Sequence, residues 1–470
     1  MPTAHEYARA NAPRFEAELV DLLRIPSIST LREHAVDVEH AAEWIAAAMK
    51  ASGLQTARIL RQEGSLPLVY GEWSGAGPKA PTLLVYCHFD VQPAALEDGW
   101  ETDPFSPVER EGRLYARGAL DSKCHVVAWL KAVESLLAAD APCPVNFKLL
   151  FEGEEESDSG HITGFVATHP DRLHADVVII SDGSFPDEQQ PVLNYGLRGI
   201  VEMELTVSGP RRDVHSGHYG GTVHNPIQAL AEILAALHDA DGRVTVPGFY
   251  DDVRPLDDEE RALLARGADW IAAEWAAVAG APQPWGEPEY PLHERIGTRP
   301  TLEFNGISGG FTGDGFKTII PARASAKLSC RLVPNQDPAR IYALVRDYIA
   351  AITPPTVQAS LRLVGAGAPG IVLPRDTQAM RAAIQAYEYA WGVTPIFNRE
   401  GGSVPIATAF RQHLSAPLLL MPFGFKGGGA HGPNEYIPLH MFHRGIAAAI
   451  QLAYEYAGLT GLSRIFEGQR

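Results

Sequence analysis

Residues 145–157 of this 470-residue chain have the sequence VNFKLLFEGEEES, an apolar segment that ends in a run of acidic residues. The apolar first half, residues 145–151, predicts a buried β-strand. The second half is a glycine followed by three consecutive glutamates, Glu154, Glu155 and Glu156. Like charges this close together resist joint ionisation unless a cation or separate environments relieve them. Alone, the run is more typical of a solvated acidic turn, so a functional interpretation depends on the residues at the other strand ends of the chain.

Composition narrows the class of protein. The hydrophobic content of 46% and the charged content of 20% are typical of a globular chain. A formal net charge of −18 argues against nucleic-acid and anionic-membrane partners, which need basic patches, and favours bound divalent cations. No apolar run approaches the ~18 residues of a membrane span, and the acidic N-terminal stretch does not resemble a signal peptide. Four widely spaced cysteines predict buried, reduced thiols and a cytoplasmic location.

The strand pattern changes along the chain. Continuous apolar strands at residues 82–87 and 176–181 predict a sheet covered on both faces by helices. From about residue 199 the strands alternate apolar and polar residues, which indicates a sheet with one wet face. Helices beginning at Asn225-Pro226 and Asp337-Pro338 follow two of these strands, a pattern typical of a split βαβ unit.

The buried pattern returns near residue 373 and includes the apolar strand at residues 416–421. We therefore predict one α/β domain formed from residues 1–198 and 373–470. An α+β domain, residues 199–372, interrupts it, and residues 250–300 form an elaborated connection within that insertion.

Potential metal ligands follow each predicted buried strand, and one more begins a predicted helix. In open α/β sheets, ligands bind in the crevice outside the carboxyl ends of the strands, so we expect these side chains to share one crevice. Any one of them alone would more often be a helix cap or a salt-bridge partner, and Asp121 also reads as the N-cap of its helix. The residues are His88 and Asp90, Asp121, Glu155 and Glu156, Asp182, and His431.

Two histidines and several carboxylates make a nitrogen and oxygen ligand set, which suits Zn²⁺, Mn²⁺ or Co²⁺. The set exceeds the three protein ligands that one catalytic zinc needs. Two ions bridged by one carboxylate would use the surplus, and ions roughly 3.5–4 Å apart can together activate water and polarise a carbonyl. One glutamate then remains to move a proton.

The motifs HFDVQP, RGALDSK, FEGEEES, SDG, DVHSG and AHGPNE occur in this order along nearly the whole chain. Together they resemble the co-catalytic zinc metallopeptidases that include the carnosine dipeptidases, carboxypeptidase G and the aminoacylases. Within that group they are most similar to the branch of the cytosolic non-specific dipeptidases. The resemblance implies a three-layer αβα catalytic domain with an inserted α+β domain that serves as lid and dimerisation surface.

The resemblance also implies two Zn²⁺ ions per subunit, with Mn²⁺ as an alternative. His88 and Asp182 would hold the first ion, and Glu156 and His431 would hold the second. Asp121 would bridge the two ions and be followed by a cis peptide bond.

Two carboxylates lie outside this implied ligand set. Asp90 would orient His88 behind the metal. Glu155 would be the general base, taking a proton from the metal-bridging water, which attacks as hydroxide, and returning it to the leaving amine.

Substrate contacts are implied at three further places. His215, in DVHSG, would reach the active site of a neighbouring subunit and stabilise the oxyanion. Arg331, on the polar face of its strand, would grip the substrate carboxylate, although it is also compatible with an ordinary exposed strand arginine. The turn at residues 399–403 would bind the same carboxylate, with contributions from Arg399, Gly402 and Ser403.

The leading functional hypothesis is hydrolysis of dipeptides or short peptides with a free C-terminal carboxylate by a homodimeric metalloenzyme. The alternative is deacylation of N-acyl amino acids with the same pair of metals. A third hypothesis, a metal-binding protein without catalysis, is less favoured, because a pure binder has no use for Glu155.

Overall fold

The structure is a computed structural model that describes residues 2–157, 159–402 and 404–459. The α-helices of these residues, in chain order, are α1 (Ala4–Ala10), α2 (Ala12–Leu23), α3 (Ala35–Ala51), α4 (Lys123–Ala138), α5 (Gly160–Thr168), α6 (Ser216–Tyr219), α7 (Pro226–Ala236), α8 (Asp258–Ala265), α9 (Ala268–Val278), α10 (Leu292–Thr298), α11 (Pro338–Ile352), α12 (Gln378–Trp391), α13 (Pro405–His413) and α14 (Leu439–Leu459).

The β-strands of the same residues are β1 (Thr56–Leu60), β2 (Leu68–Trp73), β3 (Thr82–His88), β4 (Val108–Arg110), β5 (Arg113–Tyr115), β6 (Asn146–Glu152), β7 (Val177–Ile180), β8 (Ser184–Phe185), β9 (Val192–Leu197), β10 (Gly199–Ser208), β11 (Val214–His215), β12 (Thr301–Gly309), β13 (Ile319–Ile320), β14 (Arg323–Leu332), β15 (Gln358–Ala368), β16 (Ile371–Val372), β17 (Ile396–Glu400), β18 (Leu418–Leu420), β19 (Gly424–Phe425) and β20 (Tyr436–Pro438).

A six-stranded sheet in the order β1-β2-β6-β3-β7-β18 forms the centre of the larger domain. Its strands from β6 to β18 are parallel to one another, and β1 and β2 add antiparallel pairs at one edge. The apolar residues of β3, β6 and β7 are buried, as their continuous apolar sequences predict. Because neighbouring parallel strands end on the same side, the loops that follow β6, β3 and β7 meet at one edge.

The smaller unit is a four-stranded antiparallel sheet in the order β12-β14-β10-β15. The alternation in β10 places Val201, Met203, Leu205 and Val207 in its core and leaves the polar residues between them outside. Helices α7 and α11 contribute their apolar faces to the same core. Both helices begin as predicted, with Asn or Asp as the cap and Pro in the first turn.

Two separate hydrophobic cores result. One contains residues from the first 197 positions and from position 371 onward, and the other contains residues between positions 201 and 357. The connection at residues 250–300 forms the helices α8, α9 and α10, and its Leu264 belongs to the larger core. Part of the inserted segment therefore packs with the larger domain, while the division at residues 198 and 372 stays a prediction.

The sequence interpretation of Asp121 as a helix N-cap is wrong. Helix α4 begins at Lys123, and its N-cap residue is Ser122. The Asp121 carboxylate contacts two histidines instead, and the peptide bond between Asp121 and Ser122 is cis, as expected.

All four cysteines are buried free thiols, which confirms the prediction of buried, reduced cysteines. Among the described residues, every helix is too short or too polar to cross a membrane.

Candidate metal centre

The predicted ligands meet at the carboxyl edge of the central sheet. Strand β3 ends in His88, and β7 leads through Ser181 to Asp182. Strand β6, between β2 and β3, leads through Gly153 to the glutamates. The parallel arrangement of β6, β3 and β7 thus brings together residues that are far apart in sequence.

Two groups of side chains are arranged as metal ligand sets. In the first, His88 Nε2 lies 3.0 Å from Asp121 Oδ1 and 3.8 Å from Asp182 Oδ1. In the second, His431 Nε2 lies 3.0 Å from Asp121 Oδ2 and 3.3 Å from Glu156 Oε1. Within each group the potential ligand atoms lie within 4.8 Å of one another.

Asp121 belongs to both groups and presents one carboxylate oxygen to each. A single carboxylate with its two oxygens directed at separate histidines is suited to bridge two cations. This arrangement agrees with the role that the resemblance implies for Asp121.

The Asp90 carboxylate holds the glutamate turn. Its Oδ1 accepts a hydrogen bond from the Glu155 backbone N–H at 3.1 Å, and its Oδ2 accepts one from the Glu156 N–H at 2.9 Å. His88 Nδ1 lies 3.1 Å from the Asp90 backbone carbonyl oxygen and 3.5 Å from Oδ1. Asp90 thus contacts His88 from behind, as implied, and also fixes the backbone of the two glutamates. Gln92 adds a 2.8 Å hydrogen bond from Nε2 to Glu156 Oε2.

The three consecutive glutamates have different surroundings. Glu154 is buried and accepts backbone N–H groups from Leu66 and His161, so it fixes the local fold. Glu156 joins the second ligand group. Glu155 lies in neither group, which leaves its carboxylate available for proton transfer.

The electrostatics of the centre favour cations. Burial is the main cause that raises the pKa of Glu155 to about 8, and the neighbouring Asp182, Asp90 and Glu156 add to it against the opposing effect of His88. The neighbouring carboxylates of Asp121 and then Glu156 raise the pKa of His431 to about 10. The carboxylates therefore hold protons on nearby groups, and divalent cations would replace those protons as the compensating charge.

The residues present fit metal ions. Glu156 Oε1 is buried and, among the described residues, accepts no hydrogen bond, although it lies next to the His431 ring nitrogen. A buried carboxylate oxygen without a donor is costly unless a ligand occupies its lone pairs. The donors are imidazole nitrogens and carboxylate oxygens, the set that Zn²⁺ and Mn²⁺ accept. His88, Asp121 and Asp182 could hold one ion, and Asp121, Glu156 and His431 could hold another.

Comparison with known proteins identifies the family. Residues 84–455 match the model of peptidase family M20/M25/M40. The chain belongs to this family. The match spans the candidate ligand residues from His88 to His431, and the resemblance inferred from the motifs is confirmed.

Members with described activities are similar over most of their length. The chain is 36% identical over 402 residues to the Cys-Gly metallodipeptidase dug1 of Schizosaccharomyces pombe, covering 84% of this chain and 83% of the relative. The structure of the dipeptidase Dug1p from Saccharomyces cerevisiae superposes with a TM-score of 0.83 at 30% identity, covering 97% of this chain and 98% of that one. Human carnosine dipeptidase 1 superposes with the same TM-score at 28% identity, with coverages of 97% and 98%. These similarities confirm the M20 fold of an α/β domain with an inserted α+β domain.

The implied substrate residues lie apart from the ligand groups. His215 is exposed in β11, where its Nδ1 accepts the Gly217 N–H at 3.0 Å. Arg331 is half-buried in β14, opposite Ile200 and Thr301. The structure brings neither side chain into the ligand groups found among the described residues.

Gly402 and Arg331 share a neighbour in Arg198. The Arg198 backbone N–H donates to the Gly402 carbonyl at 3.2 Å, and its Nε donates to the Gly401 carbonyl at 2.8 Å. Burial and then the charge of Arg331 lower the pKa of Arg198 to about 10. Two guanidinium groups and the glycine turn are therefore close together. Ser403, the remaining residue of the predicted turn, lies outside the described residues.

Arg399 lies in a buried ion pair with Glu260 from α8 and is 3% exposed. Tyr195 also donates a hydrogen bond to Glu260, and the Arg399 guanidinium lies over its ring at 5.5 Å. In this arrangement Arg399 joins the connection segment to the strand that precedes the turn.

Three residues that contact the centre or its supporting loops have no role predicted from the sequence. Gln92 and Arg117 lie within quoted motifs, and Glu435 ends the AHGPNE segment. In the sequence, these three residues are notable only as polar residues near predicted ligands. Ordinary surface residues have the same property. The buried surroundings of Arg117 and Glu435 became evident only in the fold.

Proposed function

We propose that the chain is a metallodipeptidase that hydrolyses dipeptides or short peptides with a free C-terminal carboxylate. The observation that carries this proposal is the position of the Asp121 carboxylate, which presents one oxygen to each of the two ligand groups. Glu155 lies outside both groups. The M20 relatives named for Cys-Gly hydrolysis support the same reaction class, and they favour peptide hydrolysis over deacylation of N-acyl amino acids.

Two zinc ions, or manganese ions in their place, would occupy the two groups and supply Lewis acidity and an activated water. The other steps belong to side chains of this protein. Glu155, held by the bond from its own N–H to Asp90, takes the proton of the attacking water. It then gives that proton to the amine as the peptide bond breaks. His88 is buried and Asp182 is half-buried, which limits access of bulk water to this side of the centre.

The substrate carboxylate would bind near Arg331 and the turn that contains Gly402. A guanidinium group matches a carboxylate in geometry and charge. The support is the proximity of Arg331 to Arg198 and the hydrogen bonds of Arg198 to the turn. Arg399 would support this turn from behind through its ion pair with Glu260.

The inserted unit would act as lid and as the surface of a homodimer. In the sheet order, β12 has a paired neighbour on one side only among the described residues, and its Phe304 and Ile307 are 39% and 65% exposed. An exposed strand edge with apolar side chains favours pairing with a second chain. His215 would then act in the partner's active site. Changing Ile307 to Lys should convert the dimer to a monomer in light scattering, and a wild-type monomer would contradict this part of the proposal.

The four buried free cysteines support a reducing compartment, in agreement with the expected cytoplasmic location. Fluorescence microscopy of the tagged chain in its own cells would test this assignment.

The test of the reaction is turnover by metal-free protein reloaded with Zn²⁺ or Mn²⁺. The panel contains Cys-Gly, β-alanyl-histidine and N-acetyl amino acids, and Glu155→Gln serves as the control with an intact ligand set. Metal-dependent cleavage of the dipeptides by the wild type, without cleavage by Glu155→Gln, would support the proposal. Cleavage of the acyl amino acids alone would establish the deacylase reaction instead. Full occupancy by metal without turnover on any compound would contradict both reactions.

A further inference from the structure

The side chain of Glu435 lies at the centre of a hydrogen-bonded cluster behind the metal centre. Glu435 is completely buried, and it lies four positions after His431 and directly before β20. A buried carboxylate persists only where several donors compensate its charge.

The donors all come from the segment that carries Asp121. One carboxylate oxygen, Oε1, accepts the backbone N–H groups of Leu120 at 2.8 Å and of Asp121 at 3.0 Å. The other, Oε2, accepts the Gly118 N–H at 3.1 Å and a bond from Arg117 Nη1 at 2.7 Å. The backbone of residues 118–121 is thus wrapped around one carboxylate.

The backbone around Glu435 joins the same two segments. The Glu435 carbonyl accepts the Ala116 N–H at 3.0 Å, and this bond continues the antiparallel pairing of β20 with β5. Gly428 lies on the other side of His431 in the sequence and packs too closely for any side chain. A Cβ on Gly428 would lie 2.7 Å from both the Leu120 side chain and the Tyr436 carbonyl oxygen. The loop of His431 is therefore closely packed against the Asp121 segment at both of its ends.

We propose that Glu435 is a positioning residue that fixes the bridging Asp121 relative to His431 and thereby sets the affinity of both metal positions. The proposal rests on the dinuclear centre described under the proposed function. Glu435 connects two segments of the chain, because it belongs to the His431 loop while its carboxylate accepts hydrogen bonds from the Asp121 segment. Because Asp121 belongs to both ligand groups, a shift of its backbone changes both.

The variant that tests the proposal is Glu435→Gln. An amide keeps one acceptor oxygen and replaces the other with an NH₂ group, which faces N–H donors and cannot accept from them. One pair of the four donors then loses its partner. Loss of a group that orients metal ligands typically lowers metal affinity about 10- to 100-fold. We expect a loss of this size for both ions.

The assay is a titration of metal-free protein with Zn²⁺ against a competing chromophoric chelator, which gives the number of ions and the affinity of each. Glu156→Gln changes a ligand of one group only, so it should weaken one ion and spare the other. Glu287→Gln is the matched control, because Glu287 is a buried carboxylate bonded to Arg299 at 3.0 and 2.6 Å in another part of the fold. It should leave both affinities unchanged.

The outcomes separate this proposal from the proposed function. A wild type that binds fewer than two ions contradicts the dinuclear centre itself. A wild type that binds two ions, together with a folded Glu435→Gln that binds both with wild-type affinity, overturns the role of Glu435. If Glu435→Gln does not fold, Arg117→Lys replaces it, since it removes the guanidinium donor and keeps a cation. Arg117→Lys should weaken both ions to a smaller extent, and wild-type affinity for both would overturn the proposal.

Discussion

Replacing Asp90 by Asn should loosen the turn that carries Glu155 and Glu156. In the native protein each carboxylate oxygen accepts one backbone N–H, at 3.1 and 2.9 Å. Asparagine keeps one acceptor and directs an NH₂ group at the other donor. A hydrogen bond to a charged group contributes about 1.5–3 kcal/mol, and a buried donor without a partner costs about 1–3 kcal/mol. Allowing for relaxation of the turn, we expect local opening to become easier by about 3 kcal/mol.

Amide hydrogen exchange measures this local opening directly. At 1.36 kcal/mol per factor of ten, about 3 kcal/mol corresponds to roughly 100-fold faster exchange in the peptide that contains residues 152–157. The experiment uses metal-free protein, so that altered metal binding does not contribute. Asp187→Asn is the matched control, because Asp187 Oδ1 alone accepts both the Gln189 and the Gln190 N–H, and an amide oxygen can do the same. Exchange within about twofold of wild type in folded Asp90→Asn would show that Asp90 does not hold this turn closed.

Three further predictions concern single side chains. Glu155→Gln should lower turnover about 10²- to 10⁴-fold while bound metal stays at the wild-type level, as measured by dipeptide hydrolysis and metal analysis. His215→Ala should also lower turnover without loss of metal, and mixing it with Glu155→Gln should restore activity in the heterodimers. Burial lowers the pKa of His125 to about 4, so the unfolded chain binds a proton that the folded chain excludes between pH 6.5 and 4. Stability should therefore fall with falling pH, by about 3 kcal/mol more in wild type than in His125→Gln, as measured by denaturant unfolding at each pH.

Each of these predictions has an outcome that contradicts it. Near-normal turnover of Glu155→Gln would remove its assignment as the base. Heterodimers that form but stay inactive would contradict a site shared between subunits. Equal slopes of stability against pH in wild type and His125→Gln would contradict a neutral buried His125, whose Nε2 accepts the Phe423 N–H at 2.9 Å.

Much of the fold was predictable because buried strands and capped helices leave local patterns. The strand predicted at residues 145–151 is β6, shifted by one residue, and the caps Asn225 and Asp337 begin α7 and α11. The grouping of His88 with Asp182 was also predictable, because parallel strands deliver their ends to one edge.

The missed features depend on tertiary contacts. The sequence around Glu435 is polar and rich in glycine, as in a surface loop, and only the pairing of β20 with β5 buries its carboxylate. Asp121 was expected to cap a helix because its position before an apolar stripe permits it. The two histidines that its carboxylate contacts instead, His88 and His431, lie 33 positions before it and 310 positions after it. Helical periodicity contains no information about such partners.

In the proposed dinuclear centre, one carboxylate, Asp121, serves two metal positions. The most direct test is the number of zinc ions retained per chain by wild type and by alanine variants of Asp121, Asp182 and Glu156 after equilibrium with a zinc buffer. We expect two ions in wild type, one in Asp182→Ala and one in Glu156→Ala, each of which changes a single ligand group, and none in Asp121→Ala. Retention of a tightly bound ion by folded Asp121→Ala, or a single ion in wild type, would contradict this expectation.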